Sequence, residues 1–257
     1  MRDAGLDRAT NAADGTAQFA RKMDQPSVSN WSKTPAQRVI AVEAAIGARS
    51  TELRPDLYGY RTVSPDGVDP IDVARAQEYA LLAALLAAAP SEKLLDRLAG
   101  LSGDGTRLGQ AHAALAEAAM QAIAGQVERE YFDLFVGLGR GELLPYASYY
   151  LTGFLNERPL SRLRADLAAL GVERAANSSE PEDHAAVLCE IMAGMADGRL
   201  EAPFDAQRAL FEKHISPWIG RLFADMEQAA SAKFYRAVGT LGRLFIEIET
   251  RGFTFAN

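Results

Sequence analysis

Apolar positions recur every three to four residues along most of this chain, the period of a helix with one buried face. No alternating apolar–polar run competes with that period, so the pattern predicts an all-α fold, a single globular bundle of about nine helices. The first helix should open at Asp69-Pro70, with Asp as its cap and Pro at the first position, where no N–H bond is lost. Tyr79, Leu82, Leu86 and Ala89 share its apolar face until Pro90 stops the run. Ser91 caps a second short helix through Leu101, and Gly103-Asp104-Gly105 forms a loop. A long third helix carries Leu108, Ala111, Leu115, Ala119 and Ala122, and its face continues through Val127, Tyr131, Leu134 and Phe135 into a Gly-rich loop. A short aromatic fourth helix falls around Tyr146–Leu155. The fifth runs from Arg158 or Pro159 to Leu170 and ends on Gly171, whose freedom at positive φ suits a C-terminal cap. The Ala175–Glu180 loop leads to a sixth helix opening at Pro181, with His184, Val187, Leu188, Ile191, Met192 and Met195 on one stripe. Phe204–His214 makes a seventh. After Pro217 an eighth carries Trp218, Leu222, Phe223 and Met226, and the last carries Phe234, Val238, Leu241, Phe245 and Ile248.

Residues 1–68 lack any sustained apolar period and are rich in Asp, Ala, Ser, Thr, Arg and Pro. They read as a largely disordered extension in which only Gln37–Ala48 has the pattern of a short helix. The helical domain then spans residues 69–257. Hydrophobic residues make up 48% of the chain, enough for a core, and Ala and Leu outnumber β-branched types, which favours helix. A net charge of −7 argues against a nucleic-acid surface and for attraction of a basic peptide. The single Cys189 excludes an intramolecular disulfide and reads as a small core residue. No run approaches the roughly 20 apolar residues of a membrane span, and the start lacks a signal-peptide pattern, so no membrane insertion and a cytoplasmic setting are expected.

Chemistry concentrates in the run Glu130–Leu160 and in the turn Ser179–His184. Gly137-Leu-Gly-Arg-Gly141 is superficially like a phosphate-binding loop. It follows a predicted helix rather than a strand, however, and lacks Gly-Lys-Ser/Thr, so its glycines read as a tight reversal between helices. Glu182 and Asp183 are expected in the first turn of the sixth helix, where the helix dipole favours acids, and His184 is expected buried and neutral on its apolar stripe. An Asp–His pair could serve as a base, but no motif places a Ser or Cys nucleophile near it. His112, His184 and His214 fall on separate predicted helices, which leaves a metal site without support. No catalytic residue, cofactor or metal is therefore expected, and the chain is not expected to be an enzyme. Tyr146, Tyr149, Tyr150 and Phe154 instead form a candidate hydrophobic peptide groove, beside Gly139 and Arg140 of the loop and with Glu182 at an acidic edge.

Five elements occur in order: Tyr131-Phe-Asp-Leu-Phe-Val-Gly137, Leu144-Pro-Tyr-Ala-Ser148, Glu180-Pro-Glu-Asp-His184, His214-Ile-Ser-Pro-Trp218 and Phe234-Tyr-Arg-Ala-Val-Gly239. On these, residues 72–250 resemble the TorD/DmsD branch of the redox-enzyme maturation proteins, chaperones of molybdenum-cofactor oxidoreductases. The resemblance implies an all-helical, non-enzymatic protein that binds the twin-arginine leader peptide or the apoprotein of a client enzyme and holds it until the cofactor is inserted. It also implies peptide contacts at Leu134, Phe135, Pro145, Tyr146, Asp183 and His184. The expected partner is the apo catalytic subunit of a molybdoenzyme, its leader, or both, with the chain as monomer or homodimer. The Gly-rich loop is longer than the usual family linker and looks like a subgroup associated with formate dehydrogenase-type clients. Two other readings stand beside this one: a nucleotide-binding regulator using the Gly-rich loop with Asp183 and His184, and a structural adaptor in which every motif is core packing.

Overall fold

A computed structural model of the protein describes residues 68–172 and 180–255. The expected N-terminal extension, its Gln37–Ala48 helix and most of the Ala175–Glu180 loop lie outside the described residues. Within them the fold is all-α, with ten α-helices and no strand. They are α1 (Pro70–Ala87), α2 (Glu92–Ala99), α3 (Arg107–Met120), α4 (Ala124–Tyr131), α5 (Ala147–Thr152), α6 (Arg158–Ala169), α7 (Ala185–Ala196), α8 (Phe204–Leu210), α9 (Ile219–Gln228) and α10 (Phe234–Phe255). Single π-helical turns extend α4 over Phe132–Val136 and α8 over Phe211–Ile215.

The Asp69 carboxylate accepts from the Ile71 N–H at 2.9 Å and Pro70 sits at the head of α1, as the sequence predicts. Ser91 and Thr106 cap α2 and α3 through their side chains. Helix α7 is buried on nearly every side and forms the centre of the bundle, with α1 packed along it. The long α10 packs against both α3 and α9. Tyr79 of α1 meets Phe245 of α10 edge-on at 4.7 Å, and both the Arg75 guanidinium and the Tyr79 hydroxyl donate to Glu249. Cys189 is fully buried in α7, and burial pushes its thiol up to about 12, the state of an inert core residue.

Four expectations are corrected. The long third helix is two: α3 ends at Met120, Ile123 turns extended at φ −110°, and α4 restarts beyond it. The apolar register passes through that break unchanged, so periodicity could not reveal it. The sixth helix opens at Ala185 rather than Pro181, because the backbone of residues 183–185 bonds to residues 145–147 instead of continuing a helix. Glu182 and Asp183 therefore lie upstream of the helix and draw nothing from its first turn. Ile248, expected on the core face of the last helix, is exposed on α10.

Candidate functional site

The first π turn widens the end of α4 with a bond from the Gly137 N–H to the Phe132 carbonyl at 2.7 Å. That turn buries Leu134 completely and leaves Phe132 and Val136 facing out. The chain then reverses through Gly137 (φ 62°) and Gly139 (φ 93°), a region that side-chain-bearing residues rarely adopt. It folds back onto the π turn, where the Glu142 and Leu143 N–H groups donate to the Asp133 and Leu134 carbonyls at 3.1 and 2.7 Å. Gly141 permits this approach, since a Cβ there would come within 2.5 Å of the Phe135 carbonyl carbon and 2.6 Å of the Leu134 oxygen. The loop amides at 137, 142 and 143 are thus committed to the π turn, and the loop follows helix rather than strand. The nucleotide reading gains no support from this geometry.

At the loop exit, two motifs separated by about 35 residues become one unit. Tyr146 and His184 form an isolated antiparallel bridge, in which the Ala185 N–H donates to the Pro145 carbonyl at 2.8 Å and the Ala147 N–H to the Asp183 carbonyl at 3.0 Å. The Asp183 carboxylate accepts from the Ser148 N–H at 2.8 Å, so Asp183 caps α5 from across the sequence. Its other oxygen, Oδ1, is buried without a hydrogen-bond partner, and so is the Ser148 hydroxyl. His184 in turn caps α7: its Nδ1 accepts from the Ala186 N–H at 3.1 Å, which requires that nitrogen to be unprotonated. Burial pushes the imidazole down to about 4, against the opposing pull of Glu180 and Asp183. It is buried and neutral, as expected. The Tyr146 ring packs edge-on against it at 4.9 Å and its hydroxyl donates to Glu180 at 2.7 Å. Burial, then Glu180, raises the Tyr146 phenol well above its ordinary value.

The remaining candidates divide by depth. Phe135 packs inward against Tyr131 and Tyr235, at ring distances of 5.0 and 5.4 Å. Glu182 is buried and paired with Arg164 of α6 at 2.9 Å. Asp183 is only 1% exposed. At the surface, Arg140 donates to the Tyr149 hydroxyl at 2.8 Å with its guanidinium 5.3 Å from that ring, tying the loop to α5. Exposed apolar residues flank this tie along the chain, Val136 and Leu138 before Arg140 and Leu151, Phe154 and Leu155 after Tyr149. Leu138 is 98% exposed and Phe154 70%. Large exposed apolar residues in one neighbourhood mark an interaction surface more often than packing.

Sequence reasoning passed over Leu138, though an apolar side chain between two glycines of a loop is a readable signal. It also missed two carboxylates that hold the neighbourhood in place. Glu130 accepts from the Lys233, Phe234 and Tyr235 N–H groups at 2.7–3.2 Å and so caps α10. Glu142 accepts from the Ala230 and Ser231 N–H groups at 2.6 and 3.1 Å. The other histidines are apart: His112 lies 2.9 Å from Glu78, and His214 2.7 Å from Asp166. Among the described residues no cluster of three or more His, Cys, Asp or Glu side chains could hold a metal ion. No described helix is long and apolar enough to cross a membrane.

The fold and site define a helical protein with an exposed apolar surface held on a rigid frame. Comparison with known proteins gives it relatives. Residues 102–224 match the family model described as nitrate reductase delta subunit. The chain is 30% identical over 131 residues to the chaperone protein TorD of Vibrio cholerae serotype O1, an alignment covering 48% of this chain and 60% of that protein. It is 25% identical over 136 residues to TorD of Aliivibrio fischeri, covering 49% and 63%. The chain thus spans about three-fifths of the length of these curated relatives. A solved structure described as a redox enzyme maturation protein of Archaeoglobus fulgidus aligns with a TM-score of 0.45 at 18% identity, over 76% of this chain and 99% of that one. The resemblance to TorD-type chaperones, first read from the five motifs, is borne out by the family and sequence matches.

Proposed function

We propose that this protein is an assembly chaperone for a molybdenum-cofactor oxidoreductase, and that it holds an apolar segment of the apo client on the surface formed by residues 136–141 and α5 with the turn after it. The observation that carries the reading is the exposure of Leu138 and Phe154 beside a loop whose two ends are bonded to the π turn through the Gly137, Glu142 and Leu143 N–H groups. A loop backbone held at both ends before the client arrives lowers the ordering cost that falls on the chaperone. Tyr149 and Arg140 supply polar contacts in the middle of the surface, and Tyr146 lies at its inner edge. Leu134, Phe135, Pro145, Asp183 and His184 act from beneath, by fixing the positions of the loop and α5. Glu182 and Gly139 serve the same frame.

A twin-arginine leader suits this surface in two ways. Its apolar stretch matches the exposed leucine and phenylalanine side chains, and its basic pair is drawn by a chain of net charge −7, with Glu180 exposed at the rim. A client of the formate dehydrogenase type belongs to this reading through the long Gly-rich loop, which is where client choice would be made.

In the native cell, the tagged chain should co-purify with the apo catalytic subunit of a molybdoenzyme. Leu138→Asp should abolish that recovery and lower the yield of active client. Equal recovery with the Leu138→Asp chain would reject the surface. Absence of any molybdoenzyme subunit would reject the class.

A further inference from the structure

A cleft of about 450 Å³ opens between α5, α6 and the second π turn. Its walls are apolar, from Ala147, Leu151, Pro159 and Leu163, and its rim is cationic, from Arg162 and Lys213. Arg158 stands one turn before Arg162 on the same side of α6, and both are exposed. Neither makes an ion pair within the described residues, whereas Arg164 is committed to Glu182. The single acid in the lining, Asp166, is bonded to the buried His214 at 2.7 Å and lies 3.4 Å from Lys213, and the His214 bond holds its carboxyl below the ordinary value. Exposed Glu157 and Glu212 adjoin the cleft but do not line it. Within the lining, two cations, Arg162 and Lys213, stand against one acid, Asp166, at the mouth of an apolar cleft on a chain of net charge −7.

We propose that this cleft is a second client subsite, which takes an acidic polypeptide segment and buries one of its apolar side chains. The inference rests on the chaperone reading and deepens it. Arg162, which has no acidic partner among the described residues, disfavours a basic leader at this rim, so the segment held here differs in chemistry from the one held beside the Gly-rich loop. Leu151 belongs to both places, exposed on α5 and lining the cleft, so one client can occupy the two together. The pairing of an apolar wall with rim charges gives orientation and a salt-dependent on-rate, while the buried side chain sets the lifetime.

The test is fluorescence anisotropy with the purified full chain and two capped probes, one alternating Glu with Leu and one alternating Lys with Leu. The Glu–Leu probe should bind, and Arg162→Glu should weaken it about five- to tenfold, with the loss shrinking as salt rises. Ala165→Trp, which fills the cleft from an exposed position without changing charge, should weaken the same probe while leaving the Lys–Leu probe unaffected. Unchanged Glu–Leu binding in the Arg162→Glu chain, or equal competition by the Lys–Leu probe for the cleft, overturns the proposal. Arg162 is exposed, so that variant keeps the test valid even if Ala165→Trp perturbs α6. If the cleft variants behave as stated while Leu138→Asp leaves Lys–Leu binding intact, the client surface fails and the cleft stands. The opposite pattern removes the cleft alone.

Discussion

At the scale of single residues, His184 makes the sharpest prediction. Its folded pKa of about 4 lies below the ordinary 6.5, so between these values the unfolded chain takes up the proton first. The stability it confers is therefore complete above about pH 6.5 and is lost as pH falls toward 4, at up to about 1.4 kcal/mol per pH unit. Urea unfolding of the parent should show this slope, and His184→Asn, which can cap α7 without titrating, should flatten it. An identical slope in both chains would mean that His184 is protonated in the folded state. The loop glycines separate in the same way. Gly141→Ala forces a Cβ against the backbone of residues 134 and 135 and should cost about 1–3 kcal/mol. Gly139→Ala meets open space and carries only the cost of its positive φ, roughly 1–2 kcal/mol. The buried, neutral state of His184 was legible in the sequence because it rests on an apolar stripe. Its capping role was not, because that depends on where the helix begins.

At the scale of elements, α5 is the instructive case. Six residues are too few to hold a helix in water by their own hydrogen bonds. Its order comes from the Asp183 clamp and the bridge to His184. Asp183→Ala leaves the buried Ser148 N–H unpaired and should destabilise the chain by about 1–3 kcal/mol, measured by chemical denaturation, with Asp183→Asn losing less. No loss in Asp183→Ala would show that α5 stands without the clamp. Glu130→Ala removes the acceptor shared by three N–H groups at the head of α10 and should cost a similar amount, about 1–3 kcal/mol. Helix existence was readable almost everywhere, since it follows from local period and caps such as Asp69 and Ser91. The clamp was not, because its halves lie about 35 residues apart and pattern within either half says nothing of the other. The π turns were hidden for another reason: each ends its helix, so no later turn remains to show the shift of the apolar face.

At the scale of the whole molecule, the bundle divides its work. Helices α1, α7, α9 and α10 supply the core, and α5, α6 and the Gly-rich loop carry the exposed apolar and charged surface. The aromatic sequence around residues 146–154 pointed to this surface, yet most of the acids assigned to it turned out to be internal supports, and its most exposed residue, Leu138, was not among those named. A surface role predicts that stability and binding come apart. Leu138→Asp should change unfolding free energy by no more than about 0.5 kcal/mol, because the side chain touches almost nothing. The decisive measurement is the affinity of the purified chain for the leader peptide of a molybdoenzyme client, set beside that of a chain carrying both Leu138→Asp and Phe154→Asp. Binding should weaken with salt and be lost in the double variant while the fold stays intact. Undiminished binding by the double variant would show that the client is not held by Leu138 and Phe154.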